Sequence, residues 1–400
     1  MLEQISNKFD VYKVGGCVRD KFIGIAPKDV DYCVVASEQE FENHFQLRRV
    51  GSSFPVYLNS KCGSEIALTR TELNVGNRYQ DFSFKSGVSI EDDLGRRDFT
   101  INSIAEHFTT GCIVDPFNGI CDIENKVIRC VNNNAFKDDP LRILRGVRFA
   151  CRFNFHIDYK TIELMYESRH RLKDIKPERF ELELRKTYEQ SVKPSKFFRF
   201  LRAFDSLKVI FPELDKACGV PAGRLEYHPE GSVFNHLMNS FDKAKKYGYS
   251  YEVAIAALLH DLGKLGTPVE ELPRHVGHDV RIEILEGFFK KHRFSSHVVK
   301  LSKVVFANHM RFHVIEDLKP GKVIKFVKLI PKYLRSEFVR ACNCDSLLNE
   351  NMLTIFERGC KAVDTVVINI PETIVKNKKA IVDYVLCKTC ERYIDLKKEG

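Results

Sequence analysis

Short apolar runs alternate with amphipathic segments over roughly the first 130 residues of the chain. β-Strands are predicted for the runs VYKVGG, VDYCVVAS, FPVYL and EIALTRTE. Helical spacing follows the glycine pair of the first run and recurs in SEQEFENHF and RDFTINSIAEHF. Asp-Pro and Asn-Gly turn signals precede a further strand in DPFNGICDIENKVIRCV. This part of the chain is therefore predicted to be a mixed α/β domain.

From about residue 135 onward the pattern becomes helical. Apolar residues recur at three- and four-residue spacing in DPLRILRGVRFACRF, TIELMYESRHRLKDI and PERFELELRKTYEQ. A segment rich in Pro and Gly, FPELDKACGVPAGRLEYHPEGS, separates these helices from a further helical stretch that is rich in histidine. We predict an α+β protein in four parts, at residues 1–135, 136–225, 226–350 and 351–400.

The composition is that of a folded, water-soluble chain, with 44% hydrophobic and 29% charged residues among 400. This length exceeds one ordinary hydrophobic core, so about two to four domains are expected. No apolar run reaches the length needed to cross a bilayer, and MLEQISNKFD lacks the features of a signal peptide. We expect a cytoplasmic protein with no membrane partner.

The 13 cysteines are scattered and odd in number, so reduced thiols are expected rather than disulfides. Two close pairs, Cys387 with Cys390 and Cys342 with Cys344, raise the alternative of a metal site. Because a zinc site normally needs four ligands at suitable spacings, thiols on a helix surface and in the core are the favoured interpretation.

The net charge of +9 is concentrated in one part of the chain. Residues 136–210 contain 18 Lys and Arg against 11 Asp and Glu, with aromatic residues interleaved as in KPSKFFRFLRAF. Such a segment is either a solvated helix face or a surface for a polyanion, and we favour a nucleic acid.

Two carboxylates stand close together after the glycine pair. On a strand Asp29 and Asp31 share one face, while Val30 points into the core. Adjacent carboxylates repel unless a cation lies between them, and Mg²⁺ favours such oxygen ligands together with phosphate. Gly15 and Gly16 open a helix whose first amides can approach a phosphate. The combination predicts a metal-held nucleoside triphosphate, although a plain turn and a capped loop are the alternative.

The ordered motifs GGCVRD, DVDYCVV, VGSSFPVYL, EIALTRTE, EDDLGRRDFTINSIA, IVDPFNGICDIENKVIRCV, DDPLRILRGVRFACRF and KPERFELELRK resemble one enzyme family. They are similar to the class II nucleotidyltransferases of the polymerase-beta superfamily, which comprise tRNA nucleotidyltransferases (CCA-adding enzymes) and bacterial poly(A) polymerases. The resemblance extends to about residue 215. It implies a polymerase-beta-type nucleotidyltransferase head with a mixed sheet, followed by mostly α-helical neck, body and tail segments.

The resemblance implies roles for the residues of the first motifs. Asp29 and Asp31 would be the catalytic carboxylates that bind Mg²⁺. The triphosphate cradle would be formed by Gly15, Gly16, Arg19 and Asp20. Glu65 would be either a third metal-binding carboxylate or an acid that faces solvent.

Base selection is expected to depend on an acid and an arginine. Asp139 and Arg142 lie three residues apart, so both are predicted to face one side of a helix. They match the family's EDxxR motif, the amino-acid template for the incoming base, with Asp138 where glutamate is usual. Arg145 and Arg148 continue this stripe, as contacts to triphosphate or tRNA or as charged helix surface.

Two further motifs are carried over from the family. Arg97 and Asp98 match its sugar-recognising motif. Glu178 and Arg179 match a later motif thought to support the template helix. For both pairs a helix-capping role is the alternative.

Histidines and aspartates are frequent after residue 225. In order, His236, His260, Asp261 and Asp345 resemble the H, HD and D pattern of the HD-domain metal phosphohydrolases. Nitrogen ligands suit a transition metal such as Ni²⁺ or Mn²⁺. A second metal or the phosphate would contact His278 and His309. Lys264 would neutralise a phosphate, and His275 and His313 are further histidines of the same motifs.

Together the resemblances indicate a bacterial CCA-adding enzyme with a fused HD domain. Such an enzyme adds CCA to tRNA from CTP and ATP without a nucleic-acid template. Its HD domain would act as phosphatase, 2′-nucleotidase and 2′,3′-cyclic phosphodiesterase. The expected partners are tRNA, ATP and CTP, and the chain would be a monomer or a homodimer.

Three alternatives to this assignment are open. The first is a poly(A) polymerase, which typically carries two basic residues where this chain has Ser-Ser in VGSSFPVYL. The second is an enzyme that adds only CC or only A, and RTELNVGNRYQDFSFKSG would be the flexible loop that weakly favours A addition. The third is a binding protein with vestigial sites, although every required carboxylate is present.

Overall fold

The computed structural model describes residues 1–50, 56–58, 65–74, 82–375 and 377–399. The chain forms two compact units. The first unit consists of Met1–Ser191 and Phe197–Ile210, and the second of Val192–Lys196 and Phe211–Gly400. The four domain ranges inferred from the sequence divide the chain differently and stay predictions.

Within the described residues, the strands of the first unit form a seven-stranded mixed sheet and two short pairs. The strands are β1 (Val11–Val14), β2 (Asp31–Val34), β3 (Arg48–Val50), β4 (Val56–Leu58), β5 (Glu65–Leu68), β6 (Arg70–Asn74), β7 (Phe82–Ser86), β8 (Ala105–His107), β9 (Ile113–Val114), β10 (Val127–Ile128) and β11 (His156–Ile157). The large sheet has the order β3-β4-β5-β2-β1-β8-β9, and only its β2–β5 pair is parallel. β6 pairs with β7, and β10 pairs with β11.

Helices occur in both units, whereas all the strands named above belong to the first unit. Those up to residue 210 are α1 (Leu2–Ser6), α2 (Gly16–Ile23), α3 (Glu38–His44), α4 (Ile90–Gly95), α5 (Gly119–Glu124), α6 (Ala135–Asp138), α7 (Leu141–Phe153), α8 (Tyr159–Ser168), α9 (Pro177–Gln190), α10 (Lys196–Ala203) and α11 (Leu207–Ile210). The second unit has α12 (Pro212–Lys216), α13 (Val233–Lys246), α14 (Tyr251–Leu259), α15 (Ile282–Lys291), α16 (Ser296–His313), α17 (Pro320–Lys328), α18 (Arg335–Asp345), α19 (Glu350–Thr365) and α20 (Lys378–Glu399). The predicted α+β class is therefore confirmed.

Local sequence signals explain where several helices begin. Gly15 precedes α2 with φ +72°, a conformation that glycine adopts without a steric penalty. Ser37 and Glu40 form a reciprocal capping box at α3. Ser232 accepts a hydrogen bond from the Asn235 amide at the start of α13. These caps place the first turns of the helices that carry site residues.

Each unit buries its own core. In the first unit Val34, Phe41 and Ile66 pack on one side of the large sheet, and Leu94 and Ala105 belong to a separate cluster. In the second unit a cluster of phenylalanine rings lies among α16 to α19, formed by Phe312, Phe326, Phe338 and Phe356.

Two local predictions for the first unit were wrong. The segment RDFTINSIAEHF forms a 3₁₀ turn at Thr100–Asn102 and then strand β8, because pairing with β1 outweighs its helical spacing. Asp29 precedes β2 rather than lying within it, and Val30 is half-buried rather than in the core.

The cysteines follow the favoured interpretation. All 12 described cysteines are free thiols, with Cys342 and Cys344 buried in α18. Cys387 and Cys390 lie on α20, exposed and half-buried respectively. No described cysteine belongs to a cluster of three potential metal ligands.

None of the helices in the described ranges is long and apolar enough to span a membrane.

Candidate active sites

A cleft of about 640 Å³ in the first unit collects most residues predicted to bind the nucleotide. The predicted residues that line it are Gly15, Gly16, Arg19, Asp29, Asp31, Glu65, Arg97, Asp98, Arg145 and Arg148. Lys186, Arg70, Arg96, Asn102 and Arg152 line it as well and were not foreseen. The cleft is thus rich in arginine and contains a small group of carboxylates.

The carboxylates lie at the start of the parallel pair β2–β5. Tyr32 pairs with Ile66, so Asp31 and Glu65, one residue earlier on each strand, are at the same level. Burial raises the pKa of Asp31, and the negative charges of Glu65 and Asp29 raise it further, whereas the positive charge of Arg97 lowers it. A divalent cation would relieve this repulsion, and an oxygen-only donor set fits Mg²⁺.

The glycine pair lies next to these carboxylates because Val14 pairs with Asp31 across β1 and β2. A Cβ atom on Gly15 would lie 3.1 Å from Nη1 of Arg97. Gly15 and Gly16 line the cleft, so the start of α2 lies beside the carboxylates, where a helix N-terminus can bind an anion.

Arg19 is held in place by neighbouring polar groups and an aromatic ring. Its Nε and Nη2 atoms donate to Oδ1 of Asp20 at 2.8 and 2.6 Å, and Nη1 donates to Oδ1 of Asn102 at 2.6 Å. Its guanidinium also lies 4.8 Å from the ring centroid of Phe153. Asp20 pairs with Arg152 at 3.2 Å and is not among the lining residues of the cleft. Asp20 thus orients two arginines and does not itself face the nucleotide site.

Buried carboxylates also fix the other arginines. Asp98 accepts from Arg145 at 2.7 Å and from the side-chain Nδ2 of Asn102 at 2.9 Å. Burial alone would raise the pKa of Asp98, but Arg145 and its other partners lower it to about 2. Arg97 pairs with Asp93 at 3.0 Å, and Arg148 pairs with a glutamate of α9 at 2.6 Å. The alternative that Arg148 is helix surface is wrong, because its side chain is buried.

The predicted template pair has a different geometry from the one expected. Asp139 is extended, with φ −138°, in the connection between α6 and α7, so it does not share a helix with Arg142. Its Oδ1 accepts from the Leu141 amide at 2.9 Å, and its Oδ2 lies 3.6 Å from Nη2 of Arg179. The side chain of Arg142 donates to the Arg96 carbonyl at 2.7 Å.

The structure therefore brings Arg179 of the later motif to Asp139. Glu178 lies beside it in the first turn of α9, and Asp138 is the last residue of α6. None of these residues lines the described cleft.

The second unit brings the predicted HD residues into one cluster. Nε2 of His236 lies 2.9 Å from Oδ1 of Asp345 and 3.5 Å from Oδ2 of Asp261. Nε2 of His260 lies 3.5 Å from Oδ1 of Asp345 and 3.4 Å from Oδ2 of Asp261. Four side chains from α13, from the residues that follow α14 and from α18 thus converge on one point.

The other oxygen of Asp261 faces a second pair of histidines. Oδ1 of Asp261 lies 3.0 Å from Nε2 of His278 and 3.4 Å from Nε2 of His309. The two Nε2 atoms are 3.2 Å apart. Asp261 therefore stands between two ligand groups, as a carboxylate that bridges two metal ions would.

The orientation of the histidines fits metal binding. Nδ1 faces a backbone carbonyl in His260, His278 and His309, namely those of Ala257, His275 and Phe306. Nδ1 of His236 faces Oε1 of Glu230 at 2.7 Å. Because these acceptors take the Nδ1 proton, the Nε2 lone pairs are directed into the cluster.

The electrostatics of the cluster favour a cation. Burial lowers the pKa of His260, but Asp261 and Asp345 raise it to about 10. Burial alone would raise the pKa of both aspartates, but the neighbouring cations hold it well below the usual range. Nitrogen and oxygen donors together suit a transition metal.

Two further residues of this site were named from the sequence. Lys264 is buried, pairs with Asp261 at 2.7 Å and donates to the Ala222 carbonyl at 2.8 Å, and it lines the cavity beside the cluster, so its role as a phosphate contact stays a prediction. His275 is bound to Thr267 and the Pro221 carbonyl, outside the cluster.

His228 and Glu230 were missed by the sequence analysis. Oε1 of Glu230 also contacts Nδ1 of His228 at 3.0 Å. The spacing of His228, Glu230 and His236 in HPEGSVFNH was the available signal. His313, named only as a further histidine, contacts Oδ2 of Asp345 at 2.6 Å.

Three family models match successive parts of the chain. The poly A polymerase head domain matches residues 11–129, the probable RNA and SrmB-binding site of polymerase A matches residues 154–218, and the HD domain matches residues 233–366. Fold, sites and matches together define a nucleotidyltransferase with a polymerase-type head and an HD domain.

Similar folds are found in solved CCA-adding enzymes. An apo form has a TM-score of 0.65 at 20% identity, over 100% of this chain and 94% of that chain. The Thermotoga maritima enzyme complexed with tRNA has a TM-score of 0.63 at 21% identity, over 97% and 88%. The Bacillus stearothermophilus enzyme in complex with CTP has a TM-score of 0.63 at 19% identity, over 100% and 96%.

Curated relatives narrow the class to a family. The multifunctional CCA protein of Methylobacillus flagellatus is 40% identical over 350 residues, which cover 84% of this chain and 83% of the relative. The multifunctional CCA protein of Acinetobacter baumannii is 40% identical over 348 residues, covering 84% of both chains. The chain belongs to the family of multifunctional CCA proteins, and the resemblance inferred from its motifs is confirmed.

Proposed function

We propose that this chain adds CCA to the 3′ end of tRNA from CTP and ATP without a nucleic-acid template. The observation that carries the proposal is the cleft that Asp29, Asp31 and Glu65 line together with several arginines. Related support comes from the family, because similar CCA-adding enzymes have been solved with ATP and with CTP.

In this proposal Asp29 and Asp31 hold Mg²⁺, and Glu65 is a further oxygen ligand. When bound, Mg²⁺ polarises the α-phosphate and favours the ionised form of the attacking 3′-hydroxyl. The chain itself positions the nucleotide. The amides that follow Gly15 at the start of α2 bind phosphate oxygens.

The arginines that line the cleft have complementary tasks. Arg19 and Arg152 share the carboxylate of Asp20, so they can neutralise the triphosphate in a fixed geometry. Arg97 lines the cleft, and its match to the family's sugar-recognising motif assigns it to the ribose. Asp98 keeps Arg145 in place through a buried ion pair.

Base selection is proposed for Asp139 and Arg142, supported by the contact of Asp139 with Arg179. An acid and an arginine can complement the hydrogen-bonding edges of both cytosine and adenine. Bidentate contacts of this kind discriminate between bases by roughly 1–3 kcal/mol. Asp139 lies in an extended connection between α6 and α7, so a small change in its backbone dihedral angles would move its carboxylate.

The decisive experiment is extension of a tRNA that lacks CCA, with CTP, ATP and Mg²⁺, followed by sequencing of the 3′ end. A product that ends uniformly in CCA supports the proposal. A run of adenosines identifies a poly(A) polymerase, and CC or A alone identifies a partial enzyme. The Ser-Ser pair at residues 52–53 lies outside the described residues. So do residues 75–81 of the predicted loop RTELNVGNRYQDFSFKSG, whose two ends form the paired strands β6 and β7.

Asp29→Ala is the matched variant for this assay. It removes a metal ligand from the cleft and leaves the basic helices of residues 136–210 unchanged. We expect transfer to stop while tRNA affinity stays within about twofold, because backbone contacts dominate that affinity. Equal loss of binding and transfer would contradict the assignment of Asp29.

A second activity is proposed for the HD cluster, namely metal-dependent hydrolysis of phosphate esters as a phosphatase, 2′-nucleotidase or 2′,3′-cyclic phosphodiesterase. The observation that carries it is the pair of ligand groups on either side of Asp261. His236, His260, Asp261 and Asp345 would hold one transition metal such as Ni²⁺ or Mn²⁺, and His278, His309 and Asp261 a second. His260→Ala should abolish hydrolysis and leave CCA addition intact.

The partners follow from this assignment. The basic segment of residues 136–210 would bind the acceptor arm of tRNA through its backbone and shape. We propose a cytoplasmic location, where tRNA is matured and repaired, and a monomer or homodimer. Light scattering at several concentrations would measure the oligomeric state.

A further inference from the structure

The cavity beside the HD cluster is larger than metal ions alone would need. It measures about 610 Å³, which is within the usual size range of sites for small organic ligands. Asp261, His278 and His309 line one part of it, and Arg224 and Tyr227 line another. The cavity therefore has room for a group attached to the phosphate.

The loop that carries these two residues is anchored at both ends. Pro221 forms a β-bridge with Ser232, and the Ala222 amide donates to the Gly231 carbonyl at 2.9 Å. The Ala222 carbonyl accepts from Lys264, which pairs with the HD aspartate Asp261. The loop is thus tied directly to the metal-ligand cluster.

Within the loop, a tight turn presents Tyr227. The amides of Tyr227 and His228 both donate to the Arg224 carbonyl, at 3.0 and 2.9 Å. His228 is in turn linked through Glu230 to the metal ligand His236. The backbone at Tyr227 is therefore held relative to the cluster by hydrogen bonds on both sides of it.

The side chains of Tyr227 and Arg224 are available to a ligand. Tyr227 is 70% exposed although it lines the cavity, and Arg224 is exposed as well. In the part of the chain that the structure describes, neither side chain makes a hydrogen bond, ion pair or ring contact. An aromatic face beside a cation is the combination that stacks on a nucleobase and binds a phosphate oxygen.

We propose that Tyr227 and Arg224 form a nucleoside-binding subsite of the HD cavity. Tyr227 stacks on the base, and Arg224 donates to the phosphate that the metal ligands face. The subsite makes nucleoside phosphates, including those at an RNA 3′ end, better substrates than phosphate esters without a base. This proposal rests on the proposed phosphohydrolase function, whereas the binding of a nucleoside at Tyr227 does not require turnover.

Substrate preference gives the first test. The ratio of kcat/KM for adenosine 2′-phosphate to that for glycerol 2-phosphate, a secondary ester without a base, is measured with Mn²⁺. Tyr227→Ala should lower this ratio about 10- to 100-fold, and Tyr227→Phe should restore it. Tyr333→Ala is the matched control, because Tyr333 is 63% exposed in the same unit and does not line the cavity.

Arg224 is tested through the same pair of substrates. Because it acts on the phosphate, Arg224→Ala should raise KM for both esters and leave their kcat/KM ratio within about twofold. Arg224→Lys should recover part of the loss, since it keeps the charge. A change in the ratio as large as that of Tyr227→Ala would overturn the assigned division of roles.

Fluorescence gives a second test that is independent of metal and turnover. The chain has no tryptophan, so Tyr227→Trp introduces a single indole that can still stack. In metal-free protein, adenosine 2′-phosphate should quench this indole and inorganic phosphate should not. The fluorescence of Tyr333→Trp should respond to neither.

The outcomes separate this proposal from the one on which it rests. An unchanged kcat/KM ratio in Tyr227→Ala, or no quenching of Tyr227→Trp by the nucleotide, overturns the subsite. If the wild-type chain hydrolyses neither ester, the phosphohydrolase proposal fails. Quenching confined to Tyr227→Trp would then still establish the subsite.

Discussion

Arg148 of α7 and Glu183 of α9 form a buried ion pair, with Nε and Oε2 2.6 Å apart and side chains only 6% and 4% exposed. The pair joins residues 35 positions apart in the chain. Burial lowers the pKa of Arg148, while Glu183 raises it. The arginine that faces the nucleotide cleft thus also stabilises the packing of two helices.

We expect Arg148→Met to destabilise the chain by about 3–5 kcal/mol, because it leaves the buried Glu183 charge without its partner. Urea unfolding of variant and wild type measures this difference. The double variant Arg148→Met with Glu183→Leu removes both charges and should recover most of the loss. If the double variant were less stable than the single one, the loss would have to be assigned to packing.

The glycine that precedes α2 offers a test of the nucleotide cleft. Gly15→Ala should lower kcat/KM for CTP and ATP at least about tenfold, since its new Cβ would lie 3.1 Å from Arg97. Alanine at φ +72° and ψ −127° also costs roughly 1–3 kcal/mol in backbone strain, because this region is sparsely populated by residues other than glycine. Steady-state nucleotide incorporation into tRNA measures the effect.

Gly111→Ala is the matched control for that variant. Gly111 has φ +71°, against +72° for Gly15, but no atom lies within 4 Å of its added Cβ. Both variants place alanine at a positive φ, and only one crowds the cleft. Equal activity losses in the two variants would show that crowding of Arg97 is not the cause.

The bridging position of Asp261 predicts two metal ions per HD cluster. In an Asp29→Ala, Asp31→Ala background, which removes the head site, equilibrium dialysis should find two Mn²⁺ per chain. His309→Asn should reduce this to one, because asparagine keeps the contact with the Phe306 carbonyl but lacks Nε2. A stoichiometry of one in the wild-type cluster would refute the bridged arrangement.

Glu230 should set the affinity of the same site. Its carboxylate orients His236 through Nδ1, so Glu230→Gln is expected to weaken Mn²⁺ binding about 10- to 100-fold without changing the stoichiometry. The dialysis assay gives both quantities. An unchanged Mn²⁺ affinity would show that Glu230 contributes to the structure of its loop and not to metal binding.

His292 provides a pH dependence away from both sites. Burial between Phe211 and Phe288 lowers its pKa to about 4, despite the attraction of Glu213. The unfolded chain, with a pKa near 6.5, binds the proton more readily, so stability falls as pH drops from about 6.5 towards 4.

The variant His292→Phe should lose less stability on acidification. Between pH 8 and pH 5 its free energy of unfolding should fall by roughly 2 kcal/mol less than that of the wild type. Urea unfolding at the two pH values measures the difference. Parallel pH profiles for the two proteins would mean that the pKa of His292 is the same in the folded and the unfolded chain.

Several features could be predicted from local sequence. The strand before Gly15 and the helix after it follow from apolar spacing and a glycine turn. The order of His236, His260 and Asp345 was sufficient to predict the HD cluster. These signals depend on residues a few positions apart or on motifs that keep their order, so they are readable without coordinates.

Other features could not be predicted in this way. Asp139 has helical spacing to Arg142 but is extended, because the chain leaves α6 before α7 begins. RDFTINSIAEHF has helical spacing but pairs with β1. In both cases a contact with residues distant in sequence accompanies the departure from the local preference, namely Arg179 for Asp139 and strand β1 for RDFTINSIAEHF.

The sequence by itself determined the class of fold, because short-range periodicity sets the helices and strands, and its motifs predicted the carboxylates of the cleft and, through their resemblance to a known family, the residues that gather in the HD cluster. The tertiary structure alone decided that Arg148 pairs with Glu183, how Asp261 divides its oxygens between two pairs of histidines, and that Tyr227 borders the same cavity. Those relationships arise from packing between segments tens of residues apart, and no local pattern encodes the distance between them.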